Sequence, residues 1–69
     1  MNRYLVVIEK TPNNLSAHSP DLPGCAATGA TREEVEERMR VAIQMHIDGM
    51  KEDGMEIPGP SSVAEYIEA

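Results

Sequence analysis

The chain has 69 residues, with 12 acidic against 6 basic side chains and a formal net charge of −6. That balance excludes phosphate-backbone binding through clustered Lys and Arg. One cysteine excludes an intrachain disulfide, and two histidines far apart do not make a structural zinc site.

Residues 3–10 (RYLVVIEK) hold five consecutive apolar side chains, rich in β-branched types, and predict a first strand covered on both faces. Thr11-Pro12-Asn13-Asn14 reads as a turn, with Pro presetting one dihedral and Asn tolerating positive φ. A returning strand is expected over 15–18 and a third over 24–28. Between them, Pro20 and Pro23 each fix φ at about −65° and push the preceding residue toward extended geometry. Gly24 then permits backbone angles closed to other residues. Thr31 and Glu34 have the capping-box spacing, in which each side chain serves the other residue's backbone N–H.

A helix is expected over 31–53. Val35, Met39, Ala42, Ile43, His46, Ile47 and Met50 recur at steps of three and four, a stripe wide enough to face a core. Glu33, Glu36, Glu37, Arg40, Gln44, Asp48 and Lys51 cover the rest, and Gly54 suits the C′ position. Ile57-Pro58-Gly59-Pro60-Ser61-Ser62 is a stiff connector. Residues 63–69 are expected to form a fourth strand, with a short helix capped by Ser62 as the alternative.

The fold class is therefore α+β in a single domain over 1–69: a three-stranded antiparallel meander, one long helix, and a fourth strand reached by a right-handed crossover (β-β-β-α-β). The helix covers one face of the sheet, and a partner copy is the expected cover for the other. Size argues the same way, because so short a chain gains only roughly 3–5 kcal/mol from its own core. A homodimer or higher oligomer is expected. No apolar run approaches the ~20 residues of a membrane span, and no signal-peptide cleavage site is visible, so a cytoplasmic protein without a membrane partner is expected.

Candidate chemistry is sparse. Glu9, Asp21, Asp48 and Glu65 show no spacing that gathers carboxylates around a divalent ion. No catalysis, cofactor or metal is expected. Cys25, beside Ala26 and Ala27, reads as a small buried hydrophobe. His46 lies on the apolar stripe and reads as a packed histidine, and Met39, Met45, Met50 and Met55 read as core filler.

Several blocks resemble the HicB-like antitoxin family of bacterial toxin–antitoxin systems. They are Tyr4-Leu5-Val6-Val7-Ile8-Glu9, Pro20-Asp21-Leu22-Pro23-Gly24-Cys25, Gly29-Ala30-Thr31-Arg32-Glu33-Glu34 and Glu52-Asp53-Gly54-Met55-Glu56-Ile57-Pro58-Gly59-Pro60-Ser61. The resemblance implies a degraded, truncated ribonuclease H-like domain that self-associates and masks a small HicA-type toxin, which cleaves messenger RNA. Many family members also carry a C-terminal DNA-binding module. This sequence ends at Ala69, so no direct nucleic-acid binding is expected from it. Against a basic ribonuclease partner, Glu33, Glu36 and Glu37 on the helix and Asp21 and Leu22 in the turn are the expected contact residues. The alternative is an orphan oligomeric domain that binds a small ligand or peptide.

Overall fold

The computed structural model describes residues 3–69. Its elements are β1 (Val7–Lys10), β2 (Leu15–His18), β3 (Ala26–Gly29) and α1 (Arg32–Glu52), so the meander and the long helix appear in the expected order. The sheet order is β1-β2-β3, with both pairs antiparallel. Val7 sits opposite His18 and Lys10 opposite Leu15, while Leu15 sits opposite Gly29 and His18 opposite Ala26.

β1 is shorter than expected, starting at Val7 rather than at residue 3. β2 supplies only four partners before the chain turns at Ser19, so residues 3–6 meet no strand to pair with. Their side chains still pack. Tyr4, Val6 and Ile8 lie against the core, as the twofold alternation of an extended chain requires, and Leu5 and Val7 are half-buried. The hairpin turn closes without positive φ at either Asn. Instead, Thr11 Oγ1 accepts from the N–H groups of Asn13 (3.3 Å) and Asn14 (3.0 Å), and Thr11 N–H donates to Asn14 O at 2.8 Å.

The loop from Ser19 to Cys25 is tied through its backbone. Ser19 N–H donates to Cys25 O, Leu22 N–H to Ser19 O, and Cys25 N–H to Leu22 O. Gly24 adopts φ +84°, the left-handed region the sequence reserved for it. The loop thereby drives Leu22 and Cys25 inward, beside Ala17, Val35 and Met39, to form the core. Leu22 is fully buried.

Both helix ends are capped. Thr31 Oγ1 accepts from Glu34 N–H at 3.1 Å, whereas Glu34 Oε1 takes the N–H of Ala30 at 3.2 Å, one residue before the reciprocal partner expected from the spacing. At the other end, Gly54 (φ +68°) donates to Lys51 O and Met55 N–H reaches back to Met50 O at 2.9 Å, a Schellman closure. The methionines divide: Met39 is buried and Met50 half-buried, but Met45 and Met55 are exposed. They are not uniformly core filler.

The expected fourth strand over 63–69 does not form, nor does the short helix. Residues 55–69 run without regular structure, and Val63, Tyr66 and Ile67 are almost wholly exposed. A strand needs a neighbour for its backbone groups, and among the described residues no strand pairs with this segment. The right-handed crossover is accordingly incomplete.

Candidate partner-binding site

Asp21 emerges from the β2–β3 loop and holds the segment that follows the helix. Its carboxylate accepts from Ser61 N–H (3.1 Å), Ser61 Oγ (2.9 Å), Ser62 N–H (3.2 Å) and Ser62 Oγ (2.8 Å). The Ser62 hydroxyl first, then the Ser62 N–H and the Ser61 donors, pull the Asp21 carboxyl below the ordinary carboxylate range. A second tie joins Tyr4 to the same segment, its hydroxyl donating to Pro58 O at 2.6 Å. Asp21, an expected partner contact, is therefore engaged within its own chain. Leu22 is corrected outright, because a fully buried side chain presents nothing to a partner. The proline–glycine turn that made the pair conspicuous points one residue inward and the other toward the tail.

Glu33, Glu36 and Glu37 are exposed, as expected. The acidic face they suggested is largely neutralised along the helix: Arg32 pairs with Glu36 at 2.9 Å, Arg38 with Glu34 at 3.2 Å, and Arg40 with Glu37. Four carboxylates against three arginines leave a net charge of −1 over residues 32–40. The acidity lies further on. Residues 48–68 carry Asp48, Glu52, Asp53, Glu56, Glu65 and Glu68 against Lys51 alone, which accounts for −5 of the −6.

Between residues 3–8 and the first half of α1 lies an open groove of about 640 Å³. Tyr4, Val6, Ile8, Met39 and Ile43 form its apolar floor, and Arg3, Arg32 and Arg40 stand at its rim with Glu36. Sequence reasoning missed this groove. Its signal was present in the helix, where Arg32, Glu36, Met39, Arg40 and Ile43 share one side at steps of three and four. What the sequence could not supply was the position of β1 alongside them.

Cys25 is buried, and burial pushes its thiol up, which keeps it protonated at neutral pH. His46 is half-buried on the apolar stripe. Among the described residues, no three His, Cys, Asp or Glu side chains gather in a metal-holding arrangement. No described helix is long and apolar enough to cross a membrane.

A chain from a structure described as a HicA3 and HicB3 toxin–antitoxin complex superposes with a TM-score of 0.74 and 27% identity, over 86% of this chain and 70% of that one. The sequence is also 38% identical, over 64 residues, to an uncharacterized 14.9 kDa protein from the rep–hol intergenic region of Haemophilus phage HP1 (strain HP1c1). That match takes in 93% of this chain and 48% of the phage protein, so the chain spans about half the length of this relative. The family profile for the HicB_like antitoxin of bacterial toxin–antitoxin systems matches residues 4–69, and the chain belongs to that family.

Proposed function

We propose that this chain is the antitoxin half of a toxin–antitoxin pair, acting in the cytoplasm without catalysis of its own. It neutralises a small, basic, mRNA-cleaving HicA-type toxin by covering the toxin's active site. The observation that carries this reading is the shared fold with a chain of a HicA3–HicB3 complex.

The charge distribution supports it and relocates the attracting field. The carboxylates of residues 48–56 on the helix end, rather than the arginine-paired Glu36 and Glu37, supply most of the attraction for a basic partner, with Glu33 adding to it. Val41 and Met45, both exposed, lie on the same outer stripe as Asp48 and Glu52 and offer apolar contact beside the charge. In this reading the antitoxin works as a homo-oligomer with a truncated ribonuclease H-like domain.

The test combines the chain with a HicA-type toxin and a labelled messenger RNA. Protection of the RNA is expected, and undiminished cleavage at excess antitoxin overturns the reading. Reversing Glu52, Asp53 and Glu56 to Lys is expected to slow association and flatten its salt dependence more than reversing Glu36 and Glu37. The opposite ranking rejects the assigned field. The orphan-domain reading has one observation in its favour, a groove whose size falls within the range of small-ligand pockets.

A further inference from the structure

Two side chains of α1 occupy the outer edge of β3. Ser19 N–H donates to Cys25 O, so these two residues form a hydrogen-bonded pair at the start of the β2–β3 ladder. Such pairs alternate along an antiparallel ladder. With Ala17 opposite Ala27 and Leu15 opposite Gly29, the backbone groups of Ala27 and Gly29 are therefore spent on β2. Those of Ala26 and Thr28, and of Ala30 just beyond, face outward. Among the described residues no strand lies on that side of β3.

The outward groups nearest the helix are nevertheless satisfied. Arg38 Nη1 donates to Thr28 O at 2.9 Å, and Ala30 N–H donates to Glu34 Oε1 at 3.2 Å. Arg38 Nη2 and Glu34 Oε1 are themselves 3.2 Å apart. A donor for Thr28 and an acceptor for Ala30 are what a neighbouring strand would offer the same two groups. Helical spacing sets Glu34 and Arg38 one turn apart on one side of α1. Gly29 lets that side approach, since a Cβ there would lie 2.8 Å from Val35 N.

We propose that the Glu34–Arg38 pair closes the β3 edge against strand addition by a second copy of this chain. The strand has no protection of its own. Residues 24–30 (GCAATGA) hold no charged side chain and no proline, the usual guards of an open edge. Ala26 and Thr28 are small and exposed, so two β3 strands can meet about a twofold axis, each offering the same outward row. Glu34 and Arg38 supply from the helix the charge that β3 lacks, and a second β3 must displace two hydrogen bonds to charged groups. Side chains 58% and 42% exposed make this ion pair a minor contributor to stability. Its role lies in occupying the edge. This inference goes beyond the antitoxin reading and rests on neither toxin binding nor any native interface.

Arg38→Met tests it, because methionine keeps the helix but makes neither contact. Sedimentation velocity is compared with the parent at matched concentrations, with helix content checked by circular dichroism. Self-association is expected to strengthen about tenfold or more in the variant. The Thr28 amide should then gain concentration-dependent hydrogen-exchange protection that the parent lacks. Adding Thr28→Pro to Arg38→Met is expected to restore the parent's size, since the proline replaces an outward N–H and costs no bond to β2. Association that persists in the double variant overturns the proposal, because a merely unstable chain sticks however its edge is blocked. An Arg38→Met chain with the parent's size and Thr28 exchange overturns it as well. Exchange in the parent is a second measurement that needs no variant. Relative to their unfolded rates, the Ala30 amide is expected to exchange several-fold more slowly than the Thr28 amide, and equal exchange overturns the closed edge. RNA protection in the toxin assay is read separately and does not depend on these outcomes.

Discussion

Gly29→Ala and Gly49→Ala make the same chemical change with opposite expected signs. At Gly29, which ends β3, an added Cβ would lie 2.8 Å from Val35 N, 3.1 Å from Val35 Cα and 3.1 Å from Val35 Cβ. Two of these atoms belong to the helix backbone, so relief requires pushing α1 away from β3. Overpacking of this kind costs roughly 1–3 kcal/mol. The lost chain entropy of unfolded glycine returns only about 0.4–1 kcal/mol, so the mid-range values leave a net destabilisation of about 1.3 kcal/mol. At Gly49, inside α1, nothing lies within 4 Å of the added Cβ. Alanine there removes a helix-interior glycine and gains roughly 0.5–1 kcal/mol. A chain of this size has roughly 3–5 kcal/mol in total and a urea slope of about 1 kcal/mol per M. The unfolding midpoint is then expected to fall by about 1.3 M for Gly29→Ala and to rise by about 0.5–1 M for Gly49→Ala. Circular dichroism in urea at matched protein concentration measures both, since any dimer makes the midpoint concentration-dependent. A Gly29→Ala midpoint equal to or above the parent refutes the claim that β3 and α1 need this close approach.

Two further predictions concern the turn that joins β2 to β3. Leu22→Ala is expected to cost roughly 2–5 kcal/mol, as a core leucine does, and unchanged stability would return Leu22 to the surface. Asp21→Asn removes the charge and one carboxylate acceptor, so residues 57–69 should become more susceptible to proteolysis while the helix signal is kept. The pH dependence has a definite sign. Because the folded carboxyl is held below its ordinary range, the latch contributes above the ordinary aspartate value and is lost as pH falls through the lower, folded value. The amide resonances of Ser61 and Ser62 should therefore hold steady at neutral pH and move only at the acid end. Movement near neutrality counts against the latch.

Several elements were legible because their causes are local. The apolar period placed α1, Thr31 marked its start and Gly54 its end, and the structure reproduces each of them. The hairpin turn was located correctly, but the Asn part of the reasoning fails: Thr11 closes the turn, and neither Asn takes positive φ. For the candidate site the outcome is mixed. Glu33, Glu36 and Glu37 are exposed as read, but two of the three are paired with arginines one helical turn away. That pairing was available from the spacing. The turn residues were not separable in this way. Asp21 and Leu22 are adjacent, and only the path of the loop sends one to Ser61 and Ser62 and the other into the core.

The sequence by itself determined the order of strands and helix, the caps, and the family, since each depends on residues within a few positions of one another or on an ordered set of short motifs. The tertiary structure decided what depends on distant residues meeting. It brought Asp21 to residues forty positions away, set the arginines of α1 beside residues 3–8 to make the groove, and left residues 63–69 without a strand partner. The physical reason is that helical periodicity and capping are satisfied within the segment, whereas an edge strand's backbone groups and a groove's apolar floor are satisfied only by whatever another part of the chain, or another chain, brings to them.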